Sequence, residues 1–262
     1  MLRYMRELTD EFVRRLKDRG LLSKRRRKDD EGDDENTDWS DELDLEMEIL
    51  IAWWLQRINE FQDKLALTFG ALSLFNDRQF RASIRSVVGI HLPQSQTLGY
   101  APGELVTATG IAQSTLGTGA DVDRVEKYIE AMRKNFVSSG STALDRMGEN
   151  FIATSERELR RAVLQGDAIN DIVAAIRNRA ATLENQALLT GRDEVARLDG
   201  ELTMRRQMSV NIFDYVWRTR RDERVRPTHQ ALEGSRQRWD SPPATGHPGQ
   251  AHLCRCRAIP IK

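Results

Sequence analysis

Proline placement limits this chain more than any other feature. Of its seven prolines, only Pro93 and Pro102 precede residue 226. Proline removes a backbone donor and clashes with the preceding helical turn. Its absence from 1–92 and from 103–226 therefore leaves two long stretches free to form uninterrupted helices. A charged fraction of 31% with only 6% aromatics suits long, solvated, amphipathic helices. After residue 226 the pattern reverses, with five prolines accompanied by Gly234, Gly246 and Gly249. The expected fold is mainly α, built of long helices, with a small loop-rich α+β module at the C-terminal end. A length of 262 residues allows one large domain or two small ones with a substantial core.

Charge and apolar runs exclude several classes. Forty basic and forty acidic residues leave a formal net charge of zero, so any attraction to nucleic acid must be local. No run approaches the roughly 18 apolar residues of a membrane-spanning helix. The start, MLRYMRELTDEFVRRLKDRG, is charged throughout and has no apolar signal core. The two cysteines are spaced C-x-C and poorly placed to bridge each other. That points to a reducing compartment, where clustered Cys and His serve metals more often than disulfides.

Four segments follow along the chain. Residues 1–20 carry Leu2, Met5, Leu8, Phe12 and Leu16 at helical spacing, a stripe suited to docking on a partner or on the protein itself. Residues 21–41 form a charged linker, in which the basic run Lys24–Lys28 meets an acidic block ending at Glu35. The basic run reads as a phosphate patch or, with its acids adjacent, as a self-neutralising linker. Residues 42–208 are helical. A first helix over 42–67 presents Trp53, Trp54, Leu55, Ile58 and Phe61, and a second covers Asp77–Val88. The stretch 92–120 is rich in Gly, Pro, Ser and Thr, with Gly99 and Gly103 fitting turns. Helices then cover about 121–137 and 141–165; Gly166 ends the latter and Asp167 caps the next. That helix bears the stripe Ile169, Ile172, Val173 and Ile176, and a further one spans 183–208 with Gly191 and Gly200 inside it. Residues 209–262 are the loop-rich module, opening on a strand in NIFDYVWRTR, where apolar and polar residues alternate.

Three of the four histidines and both cysteines fall in this module: His229, His247, His252, Cys254 and Cys256. Imidazole and thiolate are good zinc ligands, and a small module gains much from a metal staple. Alternatively, a histidine with Asp222 or Asp240 and nearby arginines would serve phosphodiester hydrolysis, His as base and Arg on the developing charge. A metal-dependent nuclease is thus the enzymatic alternative. On the plainest reading, the histidines are satisfied structural groups, with one cysteine buried and the other turned outward.

Residues 217–238 hold seven arginines. Arg218, Arg220, Arg221, Arg236 and Arg238 are candidates for DNA phosphate contact. Equally, arginines fork onto carboxylates and carbonyls to hold loops together.

The order of motifs narrows these alternatives. Tyr215-Val-Trp217-Arg-Thr is followed by Asp222-Glu-Arg224-Val-Arg226-Pro-Thr-His229, then Leu232-Glu-Gly234, Trp239-Asp-Ser-Pro-Pro243, His247-Pro-Gly249, Cys254-Arg255-Cys256 and Pro260. This run resembles the C-terminal domain of phage Mu protein F-like minor head proteins, the phage head morphogenesis family. The resemblance implies a non-enzymatic structural protein of the virion, present in few copies inside the head. It would associate with the portal or the major capsid protein, possess no small-molecule substrate, and contact packaged DNA. Some relatives carry cysteines where Arg226 and His229 stand here. That pattern makes His229 a zinc ligand beside Cys254 and Cys256, with His247 or His252 as the fourth. Trp217, Asp222, Arg224, Arg226, Gly234, Pro243, Gly249 and Arg255 become the structural signature of the module.

Overall fold

A computed structural model describes residues 1–22, 33–88, 120–165 and 167–261. The basic run Lys24–Lys28, the glycines at 99 and 103, and Gly166 lie outside them. Four helices dominate: α1 (Leu2–Asp18), α2 (Asp33–Val88), α3 (Ala120–Gln165) and α4 (Ile169–Ser209). Strands β1 (Asp214–Arg218), β2 (Arg236–Arg238) and β3 (Arg257–Pro260), with the short helix α5 (Pro227–Gln230), complete the chain. Among the described residues no helix is long and apolar enough to cross a membrane.

The helices are longer than local pattern indicates. The expected pair over 42–67 and 77–88 is one helix from Asp33. The joining segment is carried by tertiary packing, with Phe69, Ser73 and Asn76 all buried. Likewise α3 runs through Ser138-Ser-Gly-Ser141 without a break. A mid-helix glycine costs about 1 kcal/mol relative to alanine, but Gly140 and Ser141 are buried and their small side chains permit close packing. No break separates Ile176 from Leu183 in α4, where four alanines at 174, 175, 180 and 181 favour helix. Asp167 does not cap α4. Its amide bonds back to Ala162 at 2.9 Å, and the amides of Asp171 and Ile172 close on the carbonyl of Ala168, the residue before the helix.

The described chain forms two compact units, and α2, α3 and α4 each contribute to both. One comprises residues 1–63 and 139–191, the other 64–138 and 192–262. These divisions fall inside helices. The N-terminal helix is part of the first unit: Tyr4, Met5, Leu8, Phe12, Val13 and Leu16 are buried along one stripe. Phe12 meets Phe151 edge-on at 5.8 Å and Tyr4 meets Phe61 at 5.1 Å. Of the aromatic run on α2, Trp54, Ile58 and Phe61 are buried while Leu55 faces solvent. Trp54 lies so close over Gly148 that a Cβ there would fall 2.2 Å from the indole. Arg15 and Arg19 both reach the buried Glu46.

In the second unit the strands form an antiparallel sheet ordered β2-β1-β3. The strand expected from Asn211 starts three residues later, because Asn211 at φ 61° ends α4. The amide of Ile212 there bonds back to Gln207 at 2.9 Å, a left-handed helix stop that asparagine tolerates. The alternation puts Tyr215 and Trp217, both fully buried, on the inner face with Trp239 and Ala258. Met204 and Met208 of α4 pack against this cluster. Gln207 ties helix to sheet, donating to the Ala258 carbonyl at 3.1 Å and accepting from Trp239 Nε1 at 2.9 Å. Deeper in the unit, Arg206 is buried and donates to the backbone and hydroxyl of Ser73, both at 2.8 Å. Burial lowers its pKa to about 10, opposed by Asp77 and Asp199, so it stays charged at neutral pH.

Candidate functional site

Three of the five nominated donors converge. His229 sits on α5, which opens with Pro227 at its first position after the extended Arg226, the place proline prefers in a helix. The buried imidazole packs edge-on to Trp217 at 5.4 Å. Its Nδ1 lies 3.6 Å from Cys254 Sγ and 3.5 Å from Cys256 Sγ. The three donor atoms lie within 4.8 Å of one another. The cysteines do not divide into one inward and one outward. Residues two apart on extended chain share a face, and both sulfurs turn to His229, Cys254 buried and Cys256 partly so.

The loop carrying the cysteines is held from three sides. Leu253 adopts φ 53°, and Asp193 on α4 accepts its amide. Arg226 donates to the His252 carbonyl at 2.5 Å. Arg255 forks onto Asp222 at 2.7 and 2.6 Å, a bidentate pair of the strong kind. Asp222 also accepts the Arg224 amide at 3.2 Å, closing the turn before α5. Contact between the two thiols is the main cause that draws the Cys254 pKa down and pushes that of Cys256 up.

The other two histidines are engaged elsewhere. His247 Nε2 lies 3.1 Å from the Trp239 carbonyl, which can only accept, so that nitrogen carries the proton. Its Nδ1 then accepts from Tyr215 Oη at 2.9 Å. Burial lowers the His247 pKa and keeps it neutral, with both nitrogens used inside the module. His252 is exposed, and its Nδ1 faces Asp193 at 3.2 Å. Neither joins the His229 group.

Most of the nominated arginines bind carboxylates. Arg218 and Arg221 reach Glu233 at 3.3 and 2.8 Å. Arg236 and Arg238 reach Asp214 at 3.0 and 3.7 Å, and Arg238 also reaches Asp240 at 2.6 Å. Among the described residues no carboxylate pairs with Arg220. Asp222 and Asp240, the acids considered for hydrolysis, are therefore held by Arg255 and Arg238.

The remaining signature residues shape turns. Gly234 takes φ 78° and donates to the Trp217 carbonyl at 2.8 Å. The Pro243 carbonyl accepts the Gly246 amide at 2.8 Å. Gly249, at φ 91°, presses on α4, where a Cβ would lie 2.7 Å from the Ala196 carbonyl. Its counterpart is Gly200, whose added Cβ would lie 2.5 Å from the Pro248 carbonyl. The sequence assigns no contact to Gly200 and does not single out Asp193 or Gln207. A glycine inside a helical pattern, which costs about 1 kcal/mol relative to alanine, is the available signal for Gly200. A cleft of about 390 Å³ adjoins the cysteines and is lined also by Phe75, Arg220, Arg257 and Pro260.

No solved structure matches this chain. An uncharacterized protein of Haemophilus influenzae is 31% identical over 129 residues, 48% of this chain and 29% of that protein. The chain thus spans about three tenths of the length of the curated relative it matches. Residues 153–259, from within α3 to the end of the sheet, match the family described as Phage Mu protein F like protein, so the region that carries the ordered motifs is also the region of the family.

Proposed function

We propose that this chain is a minor head protein of a phage, acting structurally in head morphogenesis and not as an enzyme. The observation that carries this reading is the use of the motif residues within the family match. Asp222, Arg226, Gly234, His247, Gly249 and Arg255 bind one another or the backbone and so hold the module together. None of them is arrayed around a reacting centre. The portal and the major capsid protein are the proposed partners, with the head interior as the site of action after assembly in the host cytoplasm. Leu45, Ile51 and Leu55 leave apolar surface on α2 of the first unit, and exposed apolar residues grouped on one helix suit a protein partner.

Co-expression with portal, scaffold and major capsid protein tests the proposal. The chain is expected in purified procapsids and in complex with the portal; absence from assembled heads would overturn it. The nuclease alternative separates in one assay. With Mg²⁺, Mn²⁺ or Zn²⁺ added, DNA and RNA should stay intact, whereas cleavage abolished by His229→Ala would establish an enzyme instead.

A further inference from the structure

We infer that His229 Nδ1, Cys254 Sγ and Cys256 Sγ form a three-donor site for a zinc-type divalent ion, with the fourth position taken by a ligand from outside the chain. The first support is distance. Bonds of about 2.3 Å to sulfur and about 2.0–2.1 Å to nitrogen at a tetrahedral angle separate nitrogen from sulfur by roughly 3.6 Å. The two separations here are 3.6 and 3.5 Å. Hydrogen bonding explains the arrangement less well. Nδ1 offers either one in-plane lone pair or one N–H, and neither can lie along both sulfurs at once. A single ion between the three atoms satisfies all of them.

The surroundings fit an ion as well. The donors are fixed before anything binds: the cysteine loop by Asp193, Arg226 and the Asp222–Arg255 pair, and the imidazole by Trp217. Metal sites depend on such supporting contacts. Buried Trp217 Nε1 lacks an oxygen or nitrogen acceptor, and Cys256 packs against the same aromatic cluster. A metal-bound thiolate offers that N–H a stronger acceptor than a neutral thiol.

The count of donors leaves one position over. His247 has both ring nitrogens committed, His252 points to Asp193, and the group contains no carboxylate. Three protein donors and an exchangeable fourth ligand is the pattern of an open zinc site, in contrast to the four-donor structural kind. Both cysteines border the 390 Å³ cleft, which gives the fourth position a route from solvent. Zinc with two thiolates and a neutral imidazole is electrically neutral. Arg220 and Arg257, which have no carboxylate partner among the described residues, line the same cleft and favour an anion as fourth ligand. Loading releases whatever protons the thiols carry.

Cobalt(II) is the probe, because its spectrum reports ligand type and number. Metal-free full-length protein titrated with Co²⁺ should bind one ion per chain, with sulfur charge-transfer bands in the near ultraviolet and intense four-coordinate bands in the visible. Azide or imidazole should then shift the visible bands. Cys254→Ser, Cys256→Ser and His229→Gln should each weaken binding by about 100-fold or more, at or beyond the upper end of the loss from supporting residues. His252→Gln should leave it unchanged. Failure of the wild-type protein to bind one ion would overturn the site without recourse to any variant. Bands that stay put in azide and imidazole, or cobalt lost with His252→Gln, would overturn the open fourth position.

Discussion

Gly191 and Gly200 share helix α4 but differ in what a methyl group would meet. At Gly200 a Cβ lies 2.5 Å from the Pro248 carbonyl and 3.2 Å from Gly249 Cα, both backbone. At Gly191 the nearest atom is the Met1 sulfur, 3.9 Å away. Alanine gains about 1 kcal/mol over glycine in a helix interior, and overpacking a close contact costs about 1–3 kcal/mol. Backbone obstacles put Gly200→Ala toward the upper end of that cost. Gly200→Ala should therefore lower the melting temperature and Gly191→Ala should raise it slightly. A stabilising Gly200→Ala would show that the His247-Pro-Gly249 turn does not seat on the helix. The same residue marks a limit of legibility. Both glycines look alike in the helical pattern, and Pro248 is nearly fifty positions downstream, so nothing local distinguishes them. Asp193 and Gln207 escaped notice for the same reason, since their partners Leu253 and Trp239 are remote in sequence. His229, Cys254 and Cys256 could be nominated, because residue type alone carries metal chemistry. Only three-dimensional structure separates them from His247 and His252.

At the scale of elements, the connection between β1 and β2 depends on one carboxylate. Glu233 accepts the Thr219 amide at 2.5 Å and also receives Arg221 and Arg218. These bonds, the Thr219 amide first among them, lower its pKa from 4.5 to about 2. A carboxylate depressed in the folded state adds stability that is fully present above its unfolded pKa and is lost as pH falls toward the folded one. The contribution of Glu233 should thus fade between about pH 4.5 and pH 2. Glu233→Gln should lower the melting temperature at pH 7, and the difference from wild type should narrow across that window. A difference independent of pH would assign the effect to shape and not to charge. The elements themselves were largely legible. Scarce proline and amphipathic spacing mark the long helices, and alternation in Asp214–Arg218 marks the central strand. Their ends and joins were not. Ser138–Ser141 and the 68–76 segment read as breaks because local propensity is weak there, and packing overrides it. A strand of three residues, such as β2, offers too little alternation to recognise.

At the scale of the whole molecule, charge limits any binding to DNA. Forty basic residues balance forty acidic ones, so long-range attraction is absent and any binding rests on unpaired local cations. Arginine density in 217–238 makes that region look like a phosphate-binding surface. The structure instead commits Arg218, Arg221, Arg236 and Arg238 to Glu233, Asp214 and Asp240. Arg220, with Arg257 in the same cleft, is what remains for phosphates in this part of the module. Each phosphate neutralised contributes about 0.9 to the slope of log K against log salt on duplex DNA. Two such contacts give a slope no steeper than about −2, against about −4.5 if all five nominated arginines engaged. Fluorescence anisotropy with a short duplex between 50 and 200 mM salt measures it. The expected result is weak binding with a shallow slope that flattens further in Arg220→Ala. A slope near −4.5 that Arg218→Ala and Arg236→Ala each reduce would mean that the carboxylate pairs open to release their arginines, and that the module holds DNA at the expense of its own internal contacts.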